Sequence, residues 1–79
     1  MYIHLGNNYI ISAQDVVAIL NMNTNLSEDL TDIIDLARLE KKLINISEEG
    51  KEKSLVICKD VIYLSPISSV TLYKRGAAL

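Results

Sequence analysis

The sequence predicts a small α+β domain with a mostly antiparallel β-sheet and the element order βββ-α-βββ-α. Three observations support this. Short apolar and β-branched runs are bounded by Gly, Asn, Asp and Pro residues, as strands are. The segment 26–43 has the apolar periodicity of a helix, and residues 68–76 carry the end signals of a second, short helix. The 79 residues form one domain, assigned to 1–79, without repeats or linkers.

The first three strands lie before residue 21. "YIHLG" and "YIIS" flank residues 6–8, Gly-Asn-Asn, which predict a tight hairpin because Gly and Asn tolerate positive φ. Val16–Leu20 is β-branched and apolar and predicts a third strand, after a short connection over 12–15. A helix over 12–20 is the competing interpretation. The residues "NMNTN" then form a polar turn.

The segment "LSEDLTDIIDLARLEKKL" predicts the main helix. Asn25 or Ser27 is the expected N-cap, acids stand in the first turn and bases near the end, which complements the helix dipole. At 100° per residue, one apolar stripe is expected to face the core and a second edge is expected to contact another subunit. The stripe comprises Leu30, Ile33, Ile34 and Ala37, and the second edge comprises Leu36, Leu39 and Leu43, mixed with Asp32.

The second half is also predicted to contain three strands followed by a helix. "LINI", "SLVIC" and "VIYLS" predict the strands, Lys59-Asp60 predicts a hairpin turn, and Pro66 ends the run because it lacks a backbone N–H. "SSVTLYKRG" predicts a helix capped by Ser68 or Ser69, with Gly76 as its C′ residue and "AAL" as a frayed end. The stretch "ISEEGKEKS" (46–54), which joins "LINI" to "SLVIC", predicts a solvated turn on composition alone.

The amount of aliphatic side chain predicts a homo-oligomer. Hydrophobic residues make up 49% of the chain, yet a domain of this size buries only about 60% of its unfolded surface. We therefore expect apolar surface to be buried between copies. One cysteine, no membrane-length apolar run and no secretory leader predict a cytoplasmic protein without membrane attachment.

The net charge of −2 hides a polarised chain. Residues 1–37 carry five acids and no Lys or Arg, whereas 38–79 carry eight basic residues and five acids. A chain that is acidic overall does not favour non-specific nucleic-acid binding, but a polarised one can present a basic face, above all when an oligomer repeats it. The basic features are Lys51 with Lys53, which alternate with Glu52, and the pair 74–75, Lys-Arg.

The residues for enzymatic chemistry are scarce, so the sequence predicts a non-enzyme without a cofactor or metal. Cys58 and His4 are the only candidate nucleophile and base, and a free cysteine in an apolar strand is usually a core residue. One Cys and one His provide no zinc-ligand spacing. The acids of 28–35 lack the ligand spacing and internal Gly of a calcium loop, and single glycines form no phosphate loop.

Two segments resemble the small bacterial RemA/RemB family of extracellular-matrix gene regulators. They are "IHLGNNYIISAQDVVAIL" and "GKEKSLVICKDVIYLSPISSVTLYKR", with "LARLEKKLINI" in the matching middle place, so the resemblance covers nearly the whole chain. The start "MYIHLG" and "YLSPISSVTL" are most similar to the RemB branch. The resemblance implies a transcriptional regulator of matrix and biofilm genes that forms a ring-like homo-oligomer and binds double-stranded DNA with basic side chains that each subunit repeats.

The resemblance also implies where DNA would be contacted. In RemA-type proteins an arginine pair follows a glycine before a β-branched strand; here that turn is 50–53, Gly-Lys-Glu-Lys, and Lys51 matches in charge. Glu52 stands at a basic position of the family, and Asp15 stands where a further arginine follows the second strand. The phosphate contacts are assigned mainly to Lys51 and Lys53, with Lys59 as an additional contact.

These departures leave an alternative from a different class. In it the protein is a scaffold of the same family that assembles but binds DNA weakly or not at all. Its acidic N-terminal part would then engage a protein partner such as a basic sister subunit.

Overall fold

A computed structural model describes residues 1–22 and 27–76 as two sheets and two helices. The elements are β1 (Tyr2–Gly6), β2 (Tyr9–Ser12), β3 (Val16–Asn21), α1 (Glu28–Leu39), β4 (Leu43–Asn45), β5 (Ser54–Cys58), β6 (Ile62–Ser65) and α2 (Ser69–Gly76). The predicted order βββ-α-βββ-α is confirmed over these residues. Ala13–Asp15 form one 3₁₀ turn between β2 and β3, so the competing helix over 12–20 was wrong.

The centre of the fold is a four-stranded sheet in the order β3-β5-β6-β4. The pairs β3–β5 and β5–β6 are antiparallel, whereas β4 pairs with β6 in parallel. The predicted sheet is therefore mostly antiparallel, with a parallel edge. The β1–β2 hairpin forms a separate two-stranded sheet, so the single sheet expected from the sequence is in fact two.

Alternating side chains of β5 divide the core into two layers, because successive residues of a strand point to opposite faces. Val56 and Cys58 pack with the β1–β2 hairpin and with Leu72 of α2. Leu55 packs with Ile34 of α1 on the opposite face. The central sheet therefore lies between α1 on one side and the hairpin with α2 on the other.

The hairpin is fixed to the rest of the fold through its turn. Gly6, Asn7 and Asn8 all have positive φ, as the sequence predicted for this turn. The Asn7 side chain donates a hydrogen bond of 2.6 Å to the Ile46 carbonyl. Beside this contact, the buried Ser65 hydroxyl donates to the Leu5 carbonyl at 2.7 Å.

Helix α1 begins as predicted and ends earlier than predicted. Ser27 is the N-cap, and its hydroxyl accepts a hydrogen bond from the Leu30 N–H; Asn25 lies outside the described residues. The helix ends at Leu39, because Lys41 adopts a φ of +59° and Lys42 N–H returns to the Ala37 carbonyl at 2.8 Å. This is a Schellman-type end with lysine where glycine is usual.

The burial of α1 corrects the predicted faces. Ile34 and Ala37 are buried and Leu30 is half-buried, but Ile33 is exposed with Leu36 and Leu39. Leu43 belongs to β4 and is half-buried, so it was wrongly placed on the helix edge.

The last helix is capped by Ser68. Its hydroxyl accepts a hydrogen bond from the Thr71 N–H, which settles the choice between Ser68 and Ser69. Gly76 is the final helical residue rather than the C′ residue. The frayed end expected at 77–79 and most of the turn expected at 21–25 lie outside the described residues.

Candidate nucleic-acid interface

The turn 47–53 connects β4 to β5 and projects from one end of the central sheet. Gly50 adopts a φ of +82°, and Lys51 N–H donates to the Glu48 carbonyl at 3.0 Å, which closes the turn. An open concavity of about 390 Å³ lies along it, lined by residues 50–53 and Pro66. The composition predicted this solvated turn, and the structure places Lys51 and Lys53 together on it.

The ammonium of Lys51 is partly neutralised within the turn. Its Nζ lies 3.0 Å from Oε2 of Glu48, and both side chains are more than two-thirds exposed. An ion pair this exposed contributes at most about 1 kcal/mol, so a phosphate can replace the carboxylate at little cost. The i,i+3 spacing of the two residues is a sequence signal for this pair, and the sequence-based prediction missed it.

Lys53 has a fixed backbone and an exposed side chain. Its N–H donates to the Ser65 carbonyl at 2.9 Å, and its carbonyl accepts from the Met22 N–H at 3.0 Å. Within residues 1–22 and 27–76 its ammonium has no ion pair. Lys53 is therefore a positioned and available cation at the start of β5.

Glu52 is directed toward β4. It is half-buried, and its Oε1 accepts a hydrogen bond from Asn45 Nδ2 at 3.3 Å. The Asn45 Oδ1 atom in turn accepts from the N–H and the hydroxyl of Ser47. The carboxylate between the two lysines is thus engaged with the sheet edge, through an Asn45 contact that no local pattern indicated.

The third candidate, Lys59, lies at the opposite end of β5. Lys53 precedes that strand and Lys59 follows it, and six residue steps along a strand span roughly 20 Å. The Lys59 N–H donates to the Asp15 carbonyl at 3.0 Å, beside the exposed Asp60. The structure therefore brings two of the three candidate cations together and separates the third, which sits among carboxylates.

The arrangement of Cys58 and His4 provides no activated nucleophile. Cys58 lies on the central sheet, whereas the exposed His4 lies on the outer face of the hairpin, paired with Ile10. Burial, and secondarily the charge of Asp15, raise the pKa of the Cys58 thiol above its ordinary value. A thiol held in its neutral form is a weak nucleophile, which agrees with the prediction of a core residue.

Metal-binding clusters and membrane-spanning helices are both absent from the described part of the chain. Among residues 1–22 and 27–76, no group of three or more His, Cys, Asp or Glu side chains has an arrangement that could hold a metal ion. No helix in the same ranges is long and apolar enough to cross a membrane.

The sequence matches a family of regulatory proteins. The family model described as RemA-like, "Extracellular matrix regulatory protein A-like", matches residues 2–75. The chain belongs to the RemA-like family. It is also similar to "Extracellular matrix regulatory protein B" of Bacillus subtilis (strain 168), with 37% identity over 76 residues that cover 96% of this chain and 90% of that protein.

Membership in the RemA-like family confirms the resemblance on which the site assignment rests. The relative is a B-type protein, in agreement with the similarity to the RemB branch. The family description is that of a regulator of the extracellular matrix and names no enzymatic activity. The turn 47–53 lies within the matched range, and so do all three candidate lysines.

Proposed function

We propose that the protein is a cytoplasmic transcriptional regulator of extracellular-matrix genes that binds the backbone of double-stranded DNA as a homo-oligomer. One observation carries this proposal: in a member of a matrix-regulator family, Lys51 and Lys53 lie exposed on a single turn while the intervening Glu52 is bound to Asn45. Two cations on an accessible turn are suited to neighbouring phosphates, since phosphate contacts supply most of non-specific affinity.

The oligomer supplies the affinity that one subunit lacks. A subunit with two exposed lysines, one of them paired with Glu48, binds weakly, whereas a ring repeats the turn and holds several contacts on one duplex at high effective concentration. Base-reading is not required, because backbone contacts combined with DNA deformability can favour particular sites. Helix α1 is unsuited to a groove since its exposed side carries acids, among them Asp29, Asp32 and Asp35.

The salt dependence of binding tests this proposal. We expect anisotropy titrations with a labelled duplex, from about 50 to 200 mM salt, to give a linear log–log plot. Replacing both Lys51 and Lys53 by Ala should reduce the steepness of that plot by about 0.9 for each phosphate that the protein no longer neutralises. Lys42→Ala is the control for each single variant, Lys51→Ala and Lys53→Ala, because it also removes one charge. Lys42 is exposed and pairs with Glu40, and it lies at the end of the central sheet opposite the turn, where its carbonyl accepts from the Ile62 N–H. A wild-type protein that binds no duplex at about 50 mM salt would refute the proposal.

Lys59 is proposed as a secondary contact. It stands roughly 20 Å along β5 from Lys53. If DNA follows the turn alone, Lys59→Ala leaves the slope unchanged; a shallower slope shows that the duplex reaches both ends of the sheet.

The scaffold alternative is favoured by a specific observation. The Glu48–Lys51 pair satisfies one of the two lysines internally, and Asp15 stands beside Lys59. In that case the acidic N-terminal half engages a basic protein partner. A pull-down that recovers such a partner, combined with no gel shift of DNA, would support the scaffold.

A further inference from the structure

The two helices expose apolar stripes on opposite sides of the subunit. On α1, Ile33, Leu36 and Leu39 are 43%, 56% and 80% exposed. On α2, Val70 and Tyr73 are 62% and 57% exposed. Each set follows a spacing of three residues, so each lies on one side of its helix. Neither stripe has a covering element within the described residues.

The charges beside the two stripes are complementary. Asp32 lies four residues before Leu36 and seven before Leu39, so its carboxylate flanks the α1 stripe. Lys74 lies four residues after Val70 and flanks the α2 stripe, and the described part of α2 carries no acid. Neither Asp32 nor Lys74 forms an ion pair within residues 1–22 and 27–76.

The aromatic residue of the α2 stripe is held by a hydrogen bond. The Tyr73 hydroxyl donates to the Ile19 carbonyl of β3 at 2.9 Å, which fixes the ring while leaving more than half of the side chain exposed. Arg75, by contrast, points away and donates to the His4 carbonyl at 2.6 Å. A fixed aromatic ring beside an exposed cation is a suitable anchor for an apolar stripe that carries a carboxylate.

We infer that the exposed stripe of α1 on one copy of this chain docks on the exposed stripe of α2 on the next copy, with Asp32 facing Lys74. This inference rests on the homo-oligomer of the proposed function and names the surfaces that build it. Because α1 and α2 lie on opposite faces of the central sheet, the contact is head-to-tail and generates a ring if its rotation closes. The turn 47–53 projects from the end of the sheet and stays exposed.

Mixing two disabled variants tests the head-to-tail contact. Leu36→Asp removes the α1 stripe and Val70→Asp removes the α2 stripe, and both side chains are exposed, so the fold is expected to survive. Native mass measurement at about 100 μM should show each variant alone as an 8.8 kDa subunit. The mixture should give a one-to-one pair that grows no further, since only one functional contact remains.

A charge exchange provides the second test. Asp32→Lys and Lys74→Glu should each raise the concentration needed for assembly by about tenfold, because each places like charges together. The double variant should restore assembly toward the wild-type level. Ile10→Asp is the control, as Ile10 is 60% exposed on β2 and belongs to neither stripe.

The outcomes separate this inference from the proposed function. Wild-type protein that is monomeric at every concentration would refute the oligomer itself and with it both proposals. A wild-type oligomer that survives Leu36→Asp or Val70→Asp would refute only the α1–α2 contact. Loss of assembly in Ile10→Asp alone would assign the interface to the hairpin, and far-UV circular dichroism checks that each variant is folded.

Discussion

Glu48→Gln should strengthen DNA binding by freeing Lys51. The carboxylate of Glu48 lies 3.0 Å from the Lys51 ammonium and competes with phosphate for it. Glutamine keeps the size and polarity of the side chain and removes only its charge. The replacement therefore changes the availability of Lys51 without changing the turn, which Gly50 and the Lys51–Glu48 backbone hydrogen bond define.

The magnitude follows from the exposure of the pair. Side-chain exposures of 71% for Lys51 and 78% for Glu48 place the stabilisation by the pair at about 0–1 kcal/mol. A carboxylate about 7 Å from a phosphate adds a repulsion of roughly 0.6 kcal/mol in water, about half of it screened at about 0.1 M salt. Together these effects predict a gain of about 0.5–1 kcal/mol, or two- to fivefold in affinity, per DNA-contacting subunit.

The neighbouring residue provides the matched control. Glu49→Gln changes the net charge equally, and Glu49 is exposed but forms no ion pair in the described parts of the chain. Anisotropy titrations at fixed salt should show the larger gain for Glu48→Gln. Equal gains for both variants would mean that only total charge matters, and an unchanged or lower affinity for Glu48→Gln would refute Lys51 as a phosphate contact.

Three further predictions concern the scaffold that holds the turn, and urea titration at constant protein concentration measures each. Ser65→Ala should lower the free energy of unfolding by about 1–3 kcal/mol, because it leaves the Leu5 carbonyl unpaired in the core. Gly6→Ala should cost about 1–3 kcal/mol, since Gly6 has a φ of +104° and a new Cβ would lie 3.1 Å from Pro66. The raised pKa of Cys58 means that the folded state keeps a proton the unfolded state loses, so stability should fall as pH rises above 9.0, and Cys58→Ala should remove that part of the fall.

Local sequence signals predicted the helices and strands well, because residues near the ends of each element mark where it begins or stops. The positive-φ turn at 6–8, the Ser27 cap and the stop at Pro66 are all decided by residues within a few positions. The parallel pairing of β4 with β6 has no such signal. It depends on α1 returning the chain along the sheet, with Ile62 N–H bonding to the Lys42 carbonyl, and that contact is remote in sequence.

The end of α1 shows how tertiary context overrides a local rule. Lysine rarely adopts the left-handed conformation, so Lys41 offered no reason to end the helix before Leu43. The structure ends it there because Leu43 and Ile44 are needed as core-facing residues of β4. Leu36, Leu39 and Leu43 fit the helical period of 3.6, but from Leu43 onward the chain follows the strand period of two.

The sequence indicated where the candidate lysines lie along the chain, but not which carboxylates and amides their turn brings together. Lys51 and Lys53 alternate with Glu52, and the hydrogen bond from Asn45 holds the Glu52 carboxylate at the sheet edge. The separation of Lys59 depends on the length of β5 and on the central position of that strand, which no local signal indicates.

Net charge is therefore the wrong quantity for judging whether this acidic chain can bind DNA. At about 0.1 M salt charges influence one another over about 10 Å, and the two ends of β5 lie roughly 20 Å apart, so each end acts independently. Counted locally, the turn holds three glutamates against Lys51 and Lys53 and would repel phosphate. Under the proposed function, the affinity of the turn for phosphate would depend on where its carboxylates point. Glu52 is bound to the sheet edge and Glu48 forms only an exposed ion pair with Lys51, which leaves Glu49 as the exposed acid without an ion pair in the described turn. Repetition of that turn around a head-to-tail assembly would then convert two weak cations per subunit into a continuous surface for the phosphate backbone.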